Sequence, residues 1–134
     1  MAVTGAATLL ASLLVPAAAA ADEHEIFISE IHYDNTGTDA GEAIEVHAPV
    51  GTDLSGWSLV LYNGGNGSVY DTDALQGVVP DAGVLVVNYP VNGIQNGAPD
   101  GVALVDAGGD VVEFLSYEGT LTAADGPAAG TTST

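Results

Sequence analysis

Not one lysine or arginine occurs in the 134 residues of this chain, against 18 Asp and Glu and three His. Every acidic residue lies at or beyond Asp22. From there on the chain carries a formal charge of −18, and only histidine can serve a carboxylate as an internal salt-bridge partner. Two readings of that charge stay open. It is a solvated acidic surface that keeps the protein soluble, or the fold leans on salt or divalent cations to screen its self-repulsion. Affinity for a phosphate backbone needs Lys and Arg to displace counterions, so direct nucleic-acid binding is not expected.

The length suits one domain with one core. Hydrophobic residues make up 47% of the chain, too many for a disordered polymer. The 18 Gly and 6 Pro divide it into short segments rather than long helices. There is no Cys, which excludes disulfides, thiolate ligands and a Cys nucleophile.

Residues 1–21 read as a cleavable secretory signal. An apolar run from Ala6 to Val15 contains Leu9, Leu10, Leu13 and Leu14, and Pro16 breaks it. The small residues Ala17 to Ala21 offer A-x-A cleavage sites before the polar Asp22. The rival reading is a membrane anchor of about spanning length, for which Pro16 and the alanine run are poorly suited. The expectation is a secreted, extracellular protein with no membrane span after cleavage.

From Glu25 onward hydrophobicity alternates with period two, the periodicity of strands. The expected strands are Ile26–Tyr33, Glu42–Ala48, Trp57–Tyr62, a short Val69–Asp71, Val84–Tyr89, Val102–Asp106 and Val111–Tyr117. The last two form a hairpin around Ala107-Gly108-Gly109-Asp110. Val84–Tyr89 is almost wholly apolar, which predicts a central strand covered on both faces. Seven short strands at this spacing predict an all-β, immunoglobulin-like antiparallel β-sandwich over residues 22–119. Residues 120–134 read as a linker or an incomplete last strand. The predicted core is Ile26, Ile28, Ile31, Ile44, Val46, Trp57, Leu59, Leu61, Leu85, Val87, Leu104, Phe114 and Leu115.

Three segments resemble the lamin-tail domain: Ser29-Glu30-Ile31-His32-Tyr33-Asp34-Asn35, Gly41-Glu42-Ala43-Ile44-Glu45-Val46, and Asp53-Leu54-Ser55-Gly56-Trp57-Ser58-Leu59. They follow its E-I, E-x-[IV]-E-[LIV] and L-x-G-W-x-L pattern. Later segments, Leu75-Gln76-Gly77, Asn96 to Asp106 and Phe114 to Gly119, are similar to a bacterial branch of that family. The resemblance implies an immunoglobulin-like fold and implies no catalytic activity for the domain itself. In bacteria such domains sit beside secreted nuclease, phosphatase or protease domains. His47 departs from the pattern, where a small or apolar residue is expected. The chain also stops at Ser133-Thr134, where relatives run on, which suggests a fragment of a longer protein or a module missing its final strand.

Candidate chemistry is sparse. The loop carrying Asp34, Asp39 and Glu42, with Glu45, Asn35 and Thr38 nearby, offers hard oxygen ligands that fit calcium. The alternative is a solvated loop with no cofactor. Twelve residues from Asp34 do reach Glu45, but the sixth is Asp39, where an EF-hand needs Gly. If the first two strands pair around Thr38, Glu30 lies opposite His47 and His32 opposite Glu45. That face would offer zinc ligands, or two solvated cross-strand pairs. No G-x-S-x-G elbow is present. Gly64-Gly65-Asn66-Gly67 lacks the Lys and following helix of a phosphate loop.

The expected function is therefore that of an accessory or interaction domain, not an enzyme. It would position a neighbouring hydrolase domain or tether it to a surface or matrix component. The alternative is the N-terminal part of an extracellular endonuclease or exonuclease whose catalytic domain is not in this chain.

Overall fold

The computed structural model describes residues 25–134. The expected signal segment, residues 1–21, lies outside the described residues. Seven strands form an antiparallel β-sandwich: β1 (Phe27–His32), β2 (Ala43–His47), β3 (Ser58–Asn63), β4 (Ser68–Ala74), β5 (Val84–Asn88), β6 (Asp100–Val105) and β7 (Val111–Tyr117). One sheet has the order β1-β2-β5 and the other β4-β3-β6-β7. The all-β sandwich expected from the period-two pattern is the fold observed.

Alternation explains what each sheet buries. Ile28, Ile44, Val46, Leu59, Leu61, Val102 and Leu104 point between the sheets and form the main core. Each buried aliphatic side chain of this size contributes roughly 1.5–3 kcal/mol. Phe114, placed in this core by sequence, packs instead with Val60, Tyr62, Ala103 and Val105 on the outer face of the four-stranded sheet. Trp57 sits just before β3 and is only half-buried, packing against the edge of the main core.

The tail gives that outer face its cover. Leu121, Ala123 and Ala128 join the second core, so β3 and β6 are the strands covered on both sides. The tail is clamped as well as packed: Ala128 N donates to the Tyr62 hydroxyl at 3.1 Å, and Val69 N donates to Asp125 at 2.8 Å. A Cβ on Gly126 would come within 2.7 Å of the Tyr62 hydroxyl, so only glycine lets the tail lie this close. Thr134 N donates to the Phe114 carbonyl, and Ser116 N donates to that of Thr134, each at 3.1 Å. The segment expected as a linker or an incomplete last strand packs over the outer face of the four-stranded sheet, and its end pairs through main-chain bonds with β7. Its small residues mark close packing rather than freedom.

Two further expectations are corrected. β5 is an edge strand, at the end of the β1-β2-β5 sheet, and Val86 is 45% exposed because only the opposite face, with Leu85 and Val87, meets the core. The β1–β2 register also differs. Phe27 pairs with His47, Glu30 with Glu45 and His32 with Ala43, with a shift between Ile28 and Glu30. The loop-side pairs are already two residues off the expected register because the connection is centred one residue earlier, and the bulge adds a further residue on the far side. Neither expected Glu–His pair forms directly across the strands. The His47 ring instead lies 4.9 Å from that of Phe27.

Candidate functional site

At one end of the sandwich, the β1–β2 loop, the β3–β4 turn and the β5–β6 loop surround a cleft of about 460 Å³. Its walls include Asp39, Asn63, Asn92, Gln95, Asn96 and Asp100. Their positions follow from an unusual use of carboxylates.

Glu42 immediately precedes β2 and is completely buried. Its Oε2 accepts from Gly93 N at 2.8 Å and its Oε1 from Ile94 N at 3.2 Å. Asp39 is 6% exposed. Its Oδ1 accepts from Asn35 N at 2.9 Å and its Oδ2 from Asn96 Nδ2 at 3.0 Å. Asp100, the first residue of β6, is 3% exposed. It accepts from Gly64 N at 2.8 Å and Gly97 N at 2.6 Å, tying the β3–β4 turn to the β5–β6 loop. Gly64 admits no side chain, because a Cβ would strike the Pro99 carbonyl. Buried charges are normally paired. In a chain without Lys or Arg, amide N–H groups do that work, in charge-assisted bonds stronger than neutral ones.

Gln95 is fixed from behind by two phenols. Gln95 N donates to the Tyr70 hydroxyl at 3.0 Å, and the Tyr117 hydroxyl donates to the Gln95 carbonyl at 2.5 Å. Asn63 Nδ2 donates to Gln95 Oε1 at 2.7 Å. Burial pushes the Tyr70 phenol up to about 12 and raises that of Tyr117 as well. Tyr33 stacks on Tyr117 with ring centroids 4.0 Å apart, extending the support toward β1.

Of the three residues expected to hold calcium, Asp34 is exposed, while Asp39 and Glu42 face separate sets of donors. Glu45 lies on β2, paired with Glu30 of β1. Among the described residues, no group of three or more His, Cys, Asp or Glu is arranged to hold a metal ion. Asp100, Asn63 and Gln95 were missed by sequence reasoning, since an Asn/Gly/Pro-rich stretch reads only as loop. The available signal was negative: with no cation in the chain, any carboxylate near a glycine-rich loop is a candidate acceptor for its N–H groups.

The described residues form an antiparallel β-sandwich with the tail packed on one sheet and a polar recess lined by carboxylates and amides at one end. No family model matches the chain, and neither a curated protein nor a solved structure matches it.

Proposed function

We propose that this chain is a non-catalytic interaction module of a secreted protein, of the lamin-tail type. Its role is to position a neighbouring hydrolase or to tether it to a surface or matrix component. The observation that carries this reading is how Glu42, Asp39 and Asp100 are used. Each spends its oxygens on amide donors of the loops, which is how a recognition surface is made rigid. A general acid or base needs access to a reacting proton, and Glu42 is wholly enclosed. The segments from Ser29 to Leu59 that resemble the lamin-tail pattern add to this reading. So does the strand order, with β1-β2-β5 facing β4-β3-β6-β7, which fits an immunoglobulin-like sandwich.

The purified chain is expected to leave DNA, phosphoesters and peptide substrates unchanged in the presence of magnesium or calcium. Turnover that disappears in Glu30→Gln or Glu45→Gln would contradict the proposal. Expression with residues 1–21 in a secreting host should yield extracellular protein beginning near Asp22 by mass spectrometry. Retention of the full mass in the membrane fraction would refute the secreted part of the reading.

A further inference from the structure

Four strands end the two sheets, and on three of them edge N–H groups are already taken. On β1, Ile28 N donates to the Glu113 carboxylate at 2.8 Å. On β4, Val69 N donates to Asp125 and Thr72 N to Asp71, each at 2.8 Å. On β7, Ser116 N donates to the Thr134 carbonyl at 3.1 Å. β5 differs. Tyr89 N donates to the Glu42 carbonyl and Ala48 N to that of Gly83. With the antiparallel register, this turns the main-chain groups of Val84, Val86 and Asn88 away from β2, and no described residue bonds to them. The strand also has no charge, proline or bulge, the devices that normally blunt a sheet edge.

The opposite sheet leaves room beside this edge. β1 lies over β7, joined to it by the Ile28–Glu113 bond and the Tyr33–Tyr117 stack. Three strands therefore face four, and the smaller sheet runs out before β4. Leu85 and Val87 consequently remain only partly buried at the rim of the core. Two residues beyond Val87, the Tyr89 hydroxyl is buried without a hydrogen-bond partner, as is Asp73 Oδ2, and Tyr89 is only 9% exposed. Burial, and then the neighbouring Asp73 carboxylate, raises the Tyr89 phenol above its ordinary value. Asp73 pairs with the inward-facing Leu59 and Asp71 with Leu61, so both acids lie on the face of β4 turned towards the three-stranded sheet.

We propose that β5 takes up an extended, basic segment of a partner protein, which adds to the β1-β2-β5 sheet as an antiparallel fourth strand. The inference rests on the interaction-module reading and assigns it a docking edge. Pairing satisfies the free N–H groups of Val84, Val86 and Asn88 and covers Leu85 and Val87, while alternate side chains of the segment set its specificity. Partner residues whose main chain faces β5 share the outer face with the exposed Val86. Those between them point towards Asp71 and Asp73, in a chain that holds no Lys or Arg, so a cation is the complementary side chain. A second copy does not fit this edge. Its own β4 would come with its β5 and set Asp71 and Asp73 of the two chains against each other.

The test is an amide chemical-shift titration of the full chain with acetyl-Val-Arg-Val-Arg-Val-amide, a strand of the same length as β5. Shifts should centre on Val84, Val86 and Asn88. N-methylation of the peptide's valines removes the N–H groups that face β5 and should weaken binding about tenfold or more. N-methylation of its arginines, whose N–H groups face away, should not. Acetyl-Val-Glu-Val-Glu-Val-amide should leave the spectrum unchanged. Val86→Pro removes an N–H that β2 does not use, so the fold should persist while binding is lost. If that variant unfolds, the N-methyl comparison on the native chain decides. Asp73→Asn should weaken the arginine peptide while its shifts stay at Val86. Indifference to methylation of the valines, equal binding of the glutamate peptide, or shifts centred on Asn92 and Asn96 would overturn the proposal. So would a peptide-free dimer in sedimentation that is lost in Val86→Pro, because a second copy would then be the occupant. An arginine peptide that fails to bind an inert chain removes this inference alone, whereas substrate turnover removes the module reading beneath it.

Discussion

At the end of the sandwich built from residues 48–57, 75–83 and 106–110, main-chain groups largely pair with one another. Gly51 N donates to the Val79 carbonyl at 2.9 Å, Val79 N to that of Thr52 at 2.8 Å and Leu54 N to that of Gly77 at 3.0 Å. Leu54, Leu75 and Val79 plug the space beneath. At the opposite end main-chain bonds such as Tyr89 N to the Glu42 carbonyl are joined by the buried carboxylates of Glu42, Asp39 and Asp100, which tie one loop to another. The contrast teaches how a chain without cations can order a long glycine-rich loop. Where a second segment lies alongside, ladder bonds and aliphatic packing suffice. In the 89–99 loop main-chain carbonyls serve only some of the N–H groups, and carboxylates accept from Gly93, Ile94 and Gly97. Fixing these loops makes the cleft end a preformed surface, while the ladder end is closed.

Breaking the carboxylate end at its deepest point should cost the most. Glu42→Ala leaves the Ile94 N–H without an acceptor, leaves Gly93 N only its bond to the Pro90 carbonyl, and opens a void. The expected loss is about 4 kcal/mol in urea unfolding. Leu54→Ala attacks the ladder end by cavity formation alone and should cost about 3 kcal/mol, leaving the cleft amides in their native chemical shifts. Asp100→Asn keeps the shape but turns one acceptor into a donor facing Gly64 or Gly97. It should lose about 2 kcal/mol, with shift changes confined to the two loops.

The smallest expected effect is Tyr70→Phe, which removes the acceptor of Gln95 N for about 1 kcal/mol at neutral pH. The same variant sharpens the alkaline response. Burial raises the folded Tyr70 phenol from 10.0 to about 12. The folded state therefore keeps its proton after the unfolded chain has lost it. This contribution is fully present below about pH 10 and disappears as pH rises through about 12. Tyr70→Phe should flatten the decline of stability over that interval, and an unchanged slope would separate Tyr70 from alkaline unfolding.

Much of the sandwich was legible because alternation at Ile26-Ile28, Ile44-Val46 and Leu59-Leu61 reports strand and inner face together. The features that failed depend on distant partners. The apolar run Val84 to Val87 gives no sign of whether a neighbour covers its second face, and here none does on the side of Val86. The bulge near Ser29 changes register without changing composition. The tail's Ala, Gly and Thr suit a linker or an incomplete last strand, and its packing on the Tyr62 surface depends on a close approach at Gly126 that composition does not report. Glu42 was legible as an acid in a loop but not as a buried one. Acids are seldom buried without a cation, and the main-chain donors that make it possible lie 51 and 52 residues further on.

Native-state hydrogen exchange on Glu42→Gln tests the division between the two ends most directly. The substitution preserves volume and removes one acceptor. Protection should fall most at Ile94 and less at Gly93, which also donates to the Pro90 carbonyl, while persisting at Leu54 and Val79. Uniform loss across both ends, or unchanged protection at Gly93 and Ile94, would contradict the claim that buried carboxylates hold the cleft loops in place.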